Sequence, residues 1–140
     1  IIVAPGGLVK LANFDLAFIP DAPNLSIAKS VRDHFDPRYV APAVWKNPRD
    51  VVPASDVYSL GLVFYQLITG QPPKHDVEAV LAGKGPAIDK KLLAEELRRS
   101  GAQGDWAGAA EIIARMCAPE RADRYATVAD VMEDLSICDL

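Results

Sequence analysis

Three short segments carry polar residues whose types could do chemistry. Asn13 and Asp15 stand two positions apart, and the oxygens of a carboxamide and a carboxylate are ligands that a hard cation such as Mg²⁺ accepts. Asp36 opens the segment D-P-R-Y, and Asp56 lies in the segment S-D-V-Y. Each segment is short enough to arise by chance, so its meaning depends on the elements that position it.

The first of these elements is a predicted β-hairpin. Aliphatic runs at residues 1–3 and 8–11 flank the turn Ala-Pro-Gly-Gly, whose glycines tolerate positive φ. Beyond the hairpin, residues 13–44 lose their periodicity and contain four prolines, which is typical of a long loop.

A helix is predicted over residues 53–70, where apolar side chains recur at three- and four-residue steps. Ser55 can cap the free amides at the N-terminus of this helix, and Gly70 is its expected end. Because the helix is apolar on nearly all sides, we expect several neighbours to bury it. Further helices are predicted over residues 76–82, 90–99 and 106–117, and from the capping-box pair Thr127 and Asp130 through Cys138.

The order of V-K-L-A-N-F-D-L-A from Val9, D-P-R-Y-V-A-P-A-V from Asp36 and S-D-V-Y-S-L-G from Ser55 resembles the C-terminal lobe of a eukaryotic-type serine/threonine protein kinase. The resemblance implies a mainly α fold with a short N-terminal hairpin and a central buried helix. It covers residues 1–140 as a partial kinase-like domain, with an activation-like segment at about residues 13–44.

In such kinases the triplet Asp-Phe-Gly binds the magnesium that bridges the nucleotide phosphates, and its Phe packs into the core. The matching residues are Asn13, Phe14 and Asp15. A neutral carbonyl oxygen replaces the carboxylate at Asn13, so we expect weaker magnesium binding, with Asp15 as an alternative ligand.

The second segment resembles the kinase segment that receives a substrate residue, and the matching residues here are Asp36, Pro37, Arg38 and Tyr39. Asp36 replaces a threonine that bonds within the catalytic loop, and its carboxylate would repel a catalytic aspartate.

Two further positions match a buried ion pair of the kinase family. Ala43 replaces the family's glutamate, which pairs with a buried arginine, and the matching arginine is Arg124. An unpaired buried guanidinium is costly, so we expect either Glu120, Asp123 or another acid to pair with Arg124, or water to solvate it.

Asp56 matches the aspartate that accepts hydrogen bonds from the catalytic-loop amides and so fixes the active site. A plain N-terminal acid favoured by the helix dipole is the alternative. Ser26 and Ser30 are candidate phosphorylation sites, where added charge could pair with Arg32 or Arg38, although exposed serines without that role are common.

The resemblance implies ATP and Mg²⁺ as cofactors, and as partners the rest of a kinase domain and a protein substrate. No glycine-rich phosphate loop, strand lysine or catalytic loop is found in the 140 residues, so the chain alone is expected to be inactive. The opening Ile-Ile-Val looks like the start of a fragment. An active kinase and a pseudokinase that binds proteins are both compatible with these residues, and a small helical interaction domain that matches by chance is a third interpretation.

Composition limits the possible partners and cellular location of the chain. Fifteen basic and nineteen acidic residues, with no basic cluster, argue against nucleic acid as a partner. The longest apolar run, residues 60–68, is well short of the roughly 20 residues that span a bilayer. Two cysteines match neither a zinc site nor a disulfide framework, so reduced thiols and a cytoplasmic location are the default expectation.

Overall fold

The computed structural model describes residues 1–14, 17, 35–72, 74, 76, 78–79, 82–101 and 104–138. The described elements are β1 (Ile2–Val3), β2 (Val9–Lys10), α1 (Pro42–Lys46), α2 (Pro53–Thr69), α3 (Lys90–Arg99), α4 (Trp106–Met116), a 3₁₀ turn (Arg121–Asp123) and α5 (Val128–Ile137). The fold is therefore mainly α with one two-stranded hairpin, as the sequence predicts.

The hairpin is antiparallel, and Ile2 faces Lys10 across it. Its turn needs two consecutive residues with positive φ, and Gly6 and Gly7 supply them at 83° and 81°. The Ala4 amide closes the turn by donating to the Leu8 carbonyl at 2.8 Å. The predicted hairpin is confirmed.

Helix α2 is central, because α3, α4 and α5 all pack against it. It ends as predicted at Gly70, whose φ of 69° lies in the left-handed region. Ser55 caps the N-terminal end as predicted, but it does so as the third helical residue, and the N-cap position is Val52. The Ser55 hydroxyl still serves the helix end, since it accepts from the Val52 amide at 3.3 Å.

The predicted loop over residues 13–44 ends earlier than expected, because α1 begins at Pro42. Proline suits the first position of a helix, where its missing N–H would have no intrahelical partner. The Trp45 amide donates to the Ala41 carbonyl at 3.1 Å, and the Asn47 amide donates to the Ala43 carbonyl at 2.9 Å. A one-turn helix is too short to show a hydrophobic period, so its sequence carries only the proline as a signal.

The later helices follow their capping signals. Asp89 caps α3 by accepting from two backbone amides, and Asp105 caps α4 by accepting from the Gly108 amide at 3.0 Å. Thr127 and Asp130 form the predicted capping box of α5. Of the helix predicted over residues 76–82, only residues 76, 78, 79 and 82 are described, and one helical bond joins the Ala82 amide to the Glu78 carbonyl at 2.9 Å.

The core has two apolar clusters that share α2. One contains Tyr58, Leu62 and Leu93, and the other contains Val57, Met116 and Val131. Burial of α2 is nevertheless incomplete, because Leu67 is 73% exposed. Within the part of the chain that the structure describes, no helix is both long enough and apolar enough to cross a membrane.

Candidate functional site

Residues 36–39 fold as a turn that is held against the central helix. The Tyr39 amide donates to the Asp36 carbonyl at 3.0 Å and closes the turn. The Ser59 hydroxyl donates to the Tyr39 carbonyl at 2.7 Å, and the Tyr39 hydroxyl donates to Oε1 of Gln66. Residues 59 and 66 lie on the same face of α2, two turns apart, so Tyr39 is fixed at its backbone and at its ring end.

The charge of Asp36 is balanced inside the same turn. Arg38 Nε donates to both carboxylate oxygens of Asp36, at 3.0 and 2.9 Å, and the Arg38 amide also donates to Oδ1 at 3.0 Å. The hydrogen bonding of Arg38 to the Asp36 carboxylate, more than the charge of that carboxylate, raises the pKa of Arg38. The carboxylate that was expected to repel a catalytic aspartate thus has a cation of its own beside it.

Asn13 and Phe14 lie at the end of the hairpin and face solvent. Asn13 has a φ of 66° and is the non-glycine residue in the left-handed region among those described. Asparagine tolerates that region, and residues held there concentrate at functional sites. Phe14 is 66% exposed, so the expected core packing of its ring is not found against the described residues. The hairpin's own aliphatic residues are exposed in the same way among the described residues.

No metal centre is assembled by the described residues, which contain no group of three or more acidic, histidine or cysteine side chains in ligating positions. Asp15, the alternative ligand beside Asn13, lies outside the described residues, as do the candidate phosphorylation sites Ser26 and Ser30. The predicted magnesium and phosphorylation roles therefore stay predictions.

Asp56 stands in the first turn of α2 and is exposed. Its carboxylate has no hydrogen-bond or ion-pair partner within the described part of the chain. Partial burial against the helix end nevertheless raises the pKa of Asp56. A carboxylate that is partly desolvated and unpartnered costs folding free energy, so Asp56 is not explained by the packing of these residues.

Arg124 is buried, with 6% of its surface exposed, but its partners differ from those predicted. Nε and one terminal nitrogen both donate to the Ala118 carbonyl, at 2.9 and 2.8 Å, and the same terminal nitrogen reaches the Pro119 carbonyl at 3.0 Å. The other terminal nitrogen donates to the Ala54 carbonyl at 2.9 Å. Neither of the two expected acids pairs with the guanidinium.

Backbone carbonyls and an aromatic face thus take the place of an acid. The Arg124 guanidinium lies over the Tyr58 ring, 4.7 Å from its centroid, which is a cation–π contact. Burial lowers the pKa of Arg124. Because the Ala54 carbonyl belongs to the first turn of α2, Arg124 ties the segment before α5 to the same end of the helix that carries Asp56.

Sequence reasoning missed the role of Gly61 in this arrangement. A Cβ atom placed on Gly61 would lie 2.7 Å from Cβ of Met116 and 2.8 Å from Sγ of Cys117. Helices α2 and α4 therefore cross at a point where only a hydrogen atom fits. The available signal was a glycine inside an otherwise strongly apolar helix, where close packing against a neighbour is one reason for such a residue.

The structure thus brings two of the three predicted segments together and leaves the third apart. Ser59, which lies in the same helical segment as Asp56, holds the Tyr39 carbonyl, and Arg124 bonds to the first turn of that helix. Asn13 lies on the hairpin, which makes no described hydrogen bond to α2.

Comparison with known proteins adds an independent observation: the chain is related in sequence to bacterial serine/threonine protein kinases. It is 37% identical over 73 residues to the serine/threonine-protein kinase PknA of Mycobacterium tuberculosis (strain ATCC 25618 / H37Rv). The matched region is 52% of this chain and 16% of that protein. It is also 37% identical over 101 residues to the serine/threonine-protein kinase PknK of Mycobacterium bovis (strain ATCC BAA-935 / AF2122/97). That matched region is 71% of this chain and 9% of that protein.

These matches define a serine/threonine kinase-related region and nothing wider, because the chain spans less than a fifth of the length of either relative. No protein-family model matches the chain.

Proposed function

We propose that the chain forms the C-terminal-lobe part of a serine/threonine protein kinase-like domain. In that domain the γ-phosphoryl group of ATP would pass to a protein hydroxyl, with Mg²⁺ as the counter-ion. Asn13 and Asp15 would provide oxygen ligands toward the metal, and residues 36–39 would receive the protein substrate.

The observation that carries the proposal is the attachment of the turn at residues 36–39 to α2. Ser59 and Gln66 bind the two ends of Tyr39, although they lie 20 and 27 residues away in the chain. Two segments that resemble a kinase separately are thus joined by specific hydrogen bonds. A helix that holds a substrate-receiving segment and also presents an unpartnered Asp56 is suited to positioning, and positioning is most of what phosphoryl transfer requires from a protein.

A pseudokinase that binds proteins is the second candidate, and Asn13 is the residue that favours it. Its carbonyl oxygen is a weaker ligand for Mg²⁺ than a carboxylate, and its exposed position shows no second described ligand. In this reading the surface of the domain, rather than phosphoryl transfer, carries the function.

Nucleotide binding by the natural polypeptide that contains this chain distinguishes the two candidates. Thermal unfolding would be followed while ATP is titrated with and without Mg²⁺, and a phosphotransfer assay would follow. For an active kinase we expect a magnesium-dependent rise in melting temperature and transfer of the γ-phosphoryl group to protein. The absence of a shift under either condition would contradict that proposal and favour the pseudokinase.

Substitutions at Asn13 test the metal assignment without disturbing the backbone. Asn13→Asp restores a carboxylate, and Asn13→Gly removes the ligand, while both residues accept a φ of 66°. We expect a larger magnesium-dependent shift for the first and a smaller one for the second. Gln71→Glu adds the same charge at an exposed position outside the site and serves as the matched control.

A further inference from the structure

The acidic residue of the turn at residues 36–39 has no acceptor capacity to spare. Oδ1 of Asp36 accepts from the amide and from Nε of Arg38, and Oδ2 accepts from Nε and Nη2 of Arg38. A carboxylate offers about four lone-pair sites, and these bonds fill them. A cationic side chain that approached the turn would therefore find no free carboxylate lone pair on Asp36.

Arg38, in contrast, keeps hydrogen-bond donors free. Its guanidinium has five N–H groups, of which the one on Nε and one on Nη2 bind Asp36, so three remain. These three have no other partner within the part of the chain that the structure describes. Cζ of Arg38 lies 5.9 Å from the centroid of the Tyr39 ring, and 43% of the Arg38 side chain is exposed. The free donors are thus open to a ligand beside Tyr39.

Gln66 presents two more donors at the hydroxyl end of the same ring. Its Oε1 accepts from the Tyr39 hydroxyl, so the amide oxygen is turned toward Tyr39 and the NH₂ group away from it. Gln66 is exposed, and its NH₂ group has no partner among the described residues. The Tyr39 carbonyl is held in turn by Ser59, so the fold itself sets the orientation of the Gln66 amide.

From these free donors we infer that the turn at residues 36–39 selects protein segments that carry a glutamate or aspartate side chain and disfavours basic ones. The inference rests on the proposed function, because it names the class of substrate that the turn would receive. A carboxylate can accept from the free donors of Arg38 or Gln66, whereas a lysine or arginine side chain has only donors and meets no free acceptor on Asp36. The ion pair of Arg38 with Asp36 leaves the turn without net charge, so hydrogen-bond direction, more than long-range attraction, sets the preference.

Peptide binding to the natural polypeptide that contains this chain tests the preference without requiring catalysis. Three alanine-based peptides with blocked ends would each carry a central serine, flanked by two glutamates, two glutamines or two lysines. Affinities would be measured by fluorescence anisotropy. We expect the glutamate peptide to bind about fivefold more tightly than the lysine peptide, the effect of one exposed charged contact, with the glutamine peptide between them. Equal affinities, or no measurable binding of any peptide, would overturn the inference.

Two substitutions change the donors in a defined way. Gln66→Glu keeps an oxygen for the Tyr39 hydroxyl and replaces the free NH₂ group by a carboxylate oxygen, so the lysine peptide should become the tighter ligand. Tyr39→Phe removes the hydroxyl that orients the amide, so the preference for glutamate should fall to about twofold. Arg98→Gln makes the same change in net charge as Gln66→Glu at an exposed site on α3 and should leave the preference unchanged. A Gln66→Glu protein that still prefers the glutamate peptide would overturn the inference.

Phosphoryl transfer to the same peptides separates this inference from the proposed function. Transfer that favours the glutamate peptide over the lysine peptide supports both. Binding with the expected preference but without transfer contradicts the kinase proposal, and it supports the selection of acidic segments by this surface. Transfer at equal efficiency to all three peptides would overturn the inference alone.

Discussion

Replacing Gly61 by alanine tests the packing of the central helix at its closest point. The added Cβ would lie 2.7 Å from Cβ of Met116, and ordinary contact begins at 3.4 Å, so the helices must move apart by about 0.7 Å. Cβ of Met116 is fixed to the backbone of α4, and no change of rotamer removes it. The contact with Sγ of Cys117 at 2.8 Å is the second obstacle.

The expected magnitude is a balance of two effects. Overpacking in a dense core costs about 1–3 kcal/mol. Alanine is favoured over glycine in a helix by up to about 1 kcal/mol, which opposes that cost. We therefore expect Gly61→Ala to reduce the free energy of unfolding by about 1–2 kcal/mol, whereas the same change in an unobstructed helix would increase it.

Urea denaturation followed by tryptophan fluorescence measures this change. With a slope of roughly 2 kcal/mol per M, the midpoint should fall by about 0.5–1 M. Cys117→Ala removes one of the two obstacles, so Gly61→Ala should cost less in that background than in the wild-type chain. A Gly61→Ala protein as stable as the wild type, or more stable, would refute the close approach of α2 and α4.

Four further predictions concern buried polar groups. Tyr58→Phe should change stability by less than about 0.5 kcal/mol, because the Tyr58 hydroxyl is buried without a partner within the described chain. Tyr125→Phe should cost about 1 kcal/mol, because the Tyr125 hydroxyl donates to Asp134 at 2.6 Å. Both changes would be measured by urea denaturation. Burial, together with the hydrogen bond to Asp134, raises the pKa of Tyr125 to about 12. The stability that the neutral phenol provides is therefore complete below pH 10 and should be lost as the pH rises to about 12. Thermal melts across that pH range would detect the loss. Burial raises the pKa of Cys117 to about 12, so its thiol should resist a disulfide reagent at pH 8 until urea unfolds the chain. Arg124→Met should destabilise the chain by about 3 kcal/mol in the same denaturation experiment, because three carbonyls lose their donor.

Each of these has an outcome that would contradict it. Equal losses for the two tyrosine variants would mean that the Tyr58 hydroxyl has a partner. A pH profile of Tyr125→Phe that matches the wild type would assign the alkaline loss to other groups. Rapid modification of native Cys117 would contradict its burial, and a neutral effect of Arg124→Met would mean that water reaches the carbonyls.

Local signals in the sequence predicted most of the helices. Gly70 ends α2 in the left-handed region, and Thr127 with Asp130 begins α5, because each of these effects involves only atoms within one turn of the residue. The capping role of Ser55 was predicted as well, but not its position as the third helical residue. A serine can cap a helix with the same hydroxyl from the N-cap position or from the third helical position. The extended backbone of Val52 shows that Ser55 takes the third position.

The candidate site was less accessible from sequence, because its contacts join distant residues. Nothing near Tyr39 in the chain indicates that Ser59 and Gln66 bind it, and nothing near Gly61 indicates Met116. These contacts depend on where the helices cross, which periodicity does not specify.

Arg124 shows most clearly why residue types alone misled the prediction. A buried cation was expected to have either an acid or water as its partner, since charge is the property that the sequence displays. Instead, three backbone carbonyls and the Tyr58 ring face the guanidinium. Every residue type has a backbone carbonyl, so the sequence does not show which of them will bind Arg124. One of these carbonyls, that of Ala54, lies two residues before Asp56. The bonds of the buried Arg124 therefore fix the helix end that presents the Asp56 carboxylate. The proposed function needs that carboxylate to be held in position, so the buried guanidinium supports it.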